Sequence, residues 1–114
     1  MKKVFIATLL LGLMAMTSQV YAVSNAPDGL GWHTHSWWAI ERFTGREVTG
    51  KYLGEYKEHE PYVKDGILMV ETSGFVELGN DGYKRRFWCH FRKNTGDLLR
   101  LKIDGDVLYS VLGW

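Results

Sequence analysis

The clearest hydrophobic patterning lies in the second half of the chain. Phe87, Cys89 and Phe91 alternate with Arg86, Trp88, His90 and Arg92, between the turn signals Asn80-Asp81-Gly82 and Asn94-Thr95-Gly96. Leu99, Leu101 and Ile103 then alternate with Leu98, Arg100 and Lys102, ahead of Asp104-Gly105. Successive side chains of a strand point to opposite sides, so each run has one buried and one outward side. Asp65-Gly66 precedes a longer run, Ile67 to Leu78, and Gly74 within it predicts a bulge or sharp bend. Val107 to Leu112 is the last apolar run. Strands joined by short Gly-containing turns predict an antiparallel meander.

The first half is read less directly. Trp37 to Phe43 fits a strand or a short helix, and periodicity does not separate them at that length. Val48, Tyr52 and Tyr56 share a face under either reading; Gly50 and Gly54 weaken a helix, so a curved strand over 47–57 is expected. Residues 58–64, with Pro61, read as a connecting loop, and 23–31, rich in turn residues, as a flexible lead. The expected fold is mainly β: a small antiparallel meander of five to six strands forming a barrel or strongly curved sheet. A short N-terminal helix laid across it gives an α+β variant.

Two features of the whole chain change this picture. Lys2-Lys3, the apolar run Val4 to Met16 and the polar Thr17-Ser18-Gln19 before Val20-Tyr21-Ala22 have the three-part layout of a bacterial secretory leader, cut after Ala22. That leaves a lead at 23–31 and one β-rich domain at 32–114, in the periplasm or outside the cell. Loss of Lys2 and Lys3 takes the formal charge from +1 to −1. Near neutrality there is no global electrostatic case for nucleic acid. Cys89 is the single cysteine, so no internal disulfide can form, and the five Trp must supply much of the packing. Arg86, Arg92, Arg100 and Lys102 interrupt any lipid-facing belt, which argues against insertion as an outer-membrane barrel.

Candidate chemistry concentrates in two segments. On a strand, His33 and His35 would point the same way, as two imidazoles holding zinc or copper should, with His59 or His90 as a third ligand. The plain alternative is two polar residues on an aromatic segment. Arg86, Trp88, His90 and Arg92 should project together from one strand, with Lys84 and Arg100 beside them. An exposed Trp between guanidinium groups can grip an anionic partner or stack on a sugar ring; otherwise it packs beneath the arginines. Cys89 and His90 point to opposite faces and cannot pair as nucleophile and base. The thiol is then buried and inert, or bridges two chains as a homodimer.

No phosphate loop, catalytic triad or paired-carboxylate motif is present in the sequence. The expectation is a noncatalytic module with no resident cofactor, recognising a protein through Arg86, Trp88, His90, Arg92 and Arg100. An inhibitor of a foreign hydrolase such as lysozyme, or an immunity or exclusion factor, suits that size and compartment. The alternatives are a cell-envelope carbohydrate binder that stacks sugars on Trp32, Trp37, Trp38 or Trp88, and a metal binder through His33 and His35.

Overall fold

The computed structural model describes residues 24–114. The expected leader, 1–22, lies outside the described residues. Trp32–Thr44 forms a helix, α1. Trp32, Ser36, Ala39 and Ile40 are its buried positions, a stripe at i, i+4, i+7 and i+8. The helix stops at Gly45, whose φ of 71° lets its N–H reach back to the Glu41 carbonyl at 2.9 Å. The lead is tied down rather than loose. Ala26 is buried in the core, and the Trp32 indole N–H donates to the Ser24 carbonyl at 2.7 Å.

Seven strands follow: β1 (Val48–Gly50), β2 (Lys57–Glu58), β3 (Tyr62–Lys64), β4 (Ile67–Leu78), β5 (Arg85–Arg92), β6 (Leu98–Ile103) and β7 (Asp106–Ser110). All recorded pairings are antiparallel, and β4 to β7 form the expected meander. Two hairpin turns are tight because both central residues take positive φ: Asp65-Gly66 (53°, 79°) between β3 and β4, and Asp104-Gly105 (50°, 89°) between β6 and β7. Along its other edge β4 pairs in succession with β3, β2 and β1.

The strands number seven rather than the expected five to six, and four further expectations need correction. The sheet is open, not a barrel: β7 is an edge strand, and the inward face is closed by α1 instead. The strand expected over 47–57 is broken into β1, a 3₁₀ turn at Leu53–Glu55 and β2. Tyr52, in left-handed backbone (φ 42°), turns the chain there and is exposed. The loop expected at 58–64 contains β3, whose three residues, Tyr62, Val63 and Lys64, are too few to show an alternation in the sequence. Finally, Gly74 makes no bulge; the β4–β5 register runs through it without a shift.

Gly74 answers a different need. Val70, Thr72, Gly74 and Val76 face α1 with Phe87, Cys89, Phe91 and Leu101 of the neighbouring strands. A Cβ at 74 would lie 3.1 Å from Phe87 Cε2 and 3.3 Å from the Cα of Tyr56. The chain crosses this point backbone against backbone. Gly74→Val is therefore expected to lower stability by about 1–3 kcal/mol through overpacking. Urea unfolding measures it, and an unchanged midpoint would contradict the account.

Candidate binding face

The sheet has a second face, turned away from α1. Register places Phe75, Ser73 and Glu71 of β4 beside Arg86, Trp88 and His90 of β5. Trp88 and His90 in turn lie beside Lys102 and Arg100 of β6. The alternation that buries Phe87, Cys89 and Leu101 thus delivers a cation or an aromatic ring to this face at each step.

The rings and cations interleave across the strands. Lys84 Nζ lies 4.9 Å from the Tyr52 ring centre and 4.7 Å from that of Phe75. The Arg86 guanidinium is 5.8 Å from Phe75 and 4.3 Å from Trp88. Lys102 Nζ lies 5.0 Å from the Trp88 ring centre. Trp114 carries Lys64 at 3.8 Å and Arg100 at 5.1 Å. All are within cation–π range, so each ring fixes a long basic side chain that would otherwise be mobile.

The charge on this face is unbalanced. Among the described residues, Lys64, Arg86, Arg100 and Lys102 have no carboxylate within ion-pair distance. Cations at the end of the β4–β5 hairpin are neutralised: Arg85 and Arg46 meet Asp81 at 2.7 and 3.1 Å, and Lys84 meets Glu55 at 2.6 Å. The hydrogen bond from Arg85 holds the Asp81 carboxyl well below the usual carboxylate range. The two groups of basic residues are thus electrostatically distinct on one sheet.

A hollow of about 280 Å³ opens on the bare end of the face. Trp88, Lys102, Arg100, Lys64, His90, Glu71 and Trp114 line it. His90 is 5% exposed, and its Nε2 lies 3.5 Å from Glu71 Oε1. The Tyr62 hydroxyl donates to the same oxygen at 3.4 Å. The His90 hydrogen bond is the main cause of the lowered Glu71 pKa. Glu71 thus adds stability above the ordinary carboxylate pKa, and the gain is lost as pH falls through its depressed value. Three buried nitrogens around the hollow have no partner within the described residues: His90 Nδ1, Trp114 Nε1 and Arg100 Nε.

The other residues singled out from sequence lie elsewhere. Arg92 shares the face in register but lines a separate groove of about 540 Å³, between α1 and the β5–β7 end of the sheet. Trp38, 53% exposed, stands on that groove's helical wall with Arg42. His33 and His35 do not converge, because the segment is helical and residues two apart point to opposite sides. His33 packs against Trp37 and Tyr56, with ring centres 5.0 and 6.1 Å away, while His35 meets Asp28 at 2.9 Å. Among the described residues no three His, Cys, Asp or Glu side chains gather as a metal site. Trp32 is 1% exposed and cannot serve as a sugar platform.

Cys89 is fully buried beside Thr72 and Ser36, and burial pushes its thiol up to about 12. Ser36 donates to the Trp32 carbonyl at 2.9 Å, so the Thr72 hydroxyl is the donor across the 2.7 Å gap to Ser36. The burial closes the thiol to a bridge between folded chains. The native protein should resist a disulfide reagent such as Ellman's at mildly alkaline pH and react on addition of denaturant. Rapid labelling of the native state would overturn this assignment.

Sequence reasoning missed Lys64, Phe75, Lys102, Glu71 and Trp114 as members of the face. Lys102 was visible in the β6 alternation, whereas Trp114 reaches the sheet only through the turn after β7. No protein-family model, curated protein or solved structure matches this chain.

Proposed function

We propose that this domain is a noncatalytic binding module whose open sheet face recognises an acidic surface of a partner protein. The observation that carries the reading is the unpaired set Lys64, Arg86, Arg100 and Lys102, held on Phe75, Trp88 and Trp114. Unpaired cations supply attraction and steering, and half-buried Trp and Arg are the residue types that dominate interface energetics. Because the rings restrict the cations, less side-chain entropy remains to be lost on docking. An inhibitor, immunity or exclusion role in an exported compartment fits a face of this kind.

Titration with polyglutamate, followed by Trp fluorescence, tests the reading. Saturable binding that weakens as salt rises supports it. Equal response to neutral polyglutamine, or no response to either, counts against it. A second reading, carbohydrate binding, draws on one observation: Trp38 stands exposed on the larger groove. Quenching by peptidoglycan fragments that is lost in Trp38→Ala would favour it.

A further inference from the structure

We propose that the hollow beneath Trp114 is a carboxylate pocket, which takes the side chain of a Glu or Asp from the acidic partner. The inference rests on the protein-binding reading above and assigns the chemistry of one subsite within it. Its first support is the character of the unpartnered atoms. An indole N–H and a guanidinium Nε–H can only donate, and Trp114 Nε1 and Arg100 Nε, enclosed beside the hollow, have no acceptor among the described residues; a carboxylate in the hollow reaches them once the Trp114 and Arg100 side chains turn toward it. Left unmet, such buried donors cost free energy, and an acceptor brought within reach recovers it.

The second support is charge. Lys64, Arg100 and Lys102 line the space and have no ion pair among the described residues, against one lining side-chain carboxylate, that of Glu71. Glu71 is already engaged by His90 and Tyr62, so it does not answer the donors opposite. The pocket therefore favours an anion over a cation.

The third support is construction. His90 is 5% exposed, is held by Glu71 on the neighbouring strand, and lies edge to face with Trp114, ring centres 5.1 Å apart. Its Nδ1 is enclosed and has no partner among the described residues. The space, about 280 Å³, suits one side-chain carboxylate rather than a whole small-molecule cofactor. The planar guanidinium of Arg100 matches a carboxylate's two oxygens.

Trp114 is also the reporter. Its indole N–H signal in a proton–nitrogen correlation spectrum, assigned through Trp114→Phe, should move downfield and saturate as hexaglutamate is added. Arg100→Gln should weaken that response by about tenfold or more, as expected for loss of a charge-assisted hydrogen bond. Lys64→Gln provides a second variant if Arg100→Gln fails to fold. If hexaglutamate shifts Trp88 while Trp114 stays fixed, the face binds acid but the carboxylate pocket is wrong. If neither shifts, the acidic-partner reading fails with it. If oligogalacturonate moves Trp114 and hexaglutamate does not, the carboxylate belongs to a sugar and the proposal is overturned.

Discussion

Trp32→Ala should cost the domain about 3–5 kcal/mol, the range for deleting a large buried aromatic side chain. Trp32 is 1% exposed and packs on Phe91 with ring centres 5.3 Å apart. It performs three structural tasks. The ring fills the space between α1 and the sheet, its carbonyl receives the Ser36 hydroxyl, and its indole N–H holds the Ser24 carbonyl. Truncation therefore opens a cavity and releases the segment that buries Ala26. Small domains commonly have only about 5–15 kcal/mol in total, so this variant should be close to unfolded near body temperature. Urea denaturation measures the loss directly. A change below about 1 kcal/mol would mean that α1 is not the cover of this core.

Trp88→Ala should do the reverse, sparing the fold and removing the binding. Trp88 is half-buried on the open face, and its stabilising contacts there are the cations of Arg86 and Lys102. Losing such exposed cation–π pairs costs about 0.5–1 kcal/mol each. Binding suffers more, because the same ring both contacts the partner and holds two cations in place. A hot-spot loss of about 2 kcal/mol corresponds to roughly thirtyfold weaker affinity for polyglutamate. The charge-reversed Arg86→Glu, Lys102→Glu variant should abolish the interaction by repulsion while leaving Trp88 present. If Trp88→Ala unfolds the domain instead, the ring is part of the core and the face is structural.

The contrast between Trp32 and Trp88 shows what was legible in the sequence. Alternation in β5 and β6 separated Phe87, Cys89 and Leu101 from Arg86, Trp88 and Arg100, because a half-buried strand writes its two faces directly into the chain. Alternation does not record whether the last strand returns to the first, so an open sheet read equally well as a barrel. The helix was ambiguous because the window began at Trp37. Taken from Trp32, the stripe Trp32, Ser36, Ala39 and Ile40 has helical spacing, but Ser36 is polar and weakens it. The metal reading at His33 and His35 depended on the strand alternative, and the helix removes that geometric premise.

The candidate site was half legible for a similar reason. Its β5 and β6 members follow from local alternation. Lys64, Phe75 and Trp114 join them only through the pairing of β3 and β4 and the turn after β7, and those are tertiary relations. Gly74 was visible, but its cause was not. The close approach of Tyr56 and Phe87 leaves no local mark beyond the glycine itself.

Site-specific photocrosslinking in the cell of origin tests the central claim most directly. A photoreactive residue is placed at Lys84 or Ser110, on the rim of the open face, and in parallel at Arg42 on α1. The account predicts a crosslink to one acidic protein from the open-face positions, absent from Arg42 and diminished by Trp88→Ala. Crosslinking confined to Arg42, or unchanged by Trp88→Ala, would contradict it and move the functional surface elsewhere.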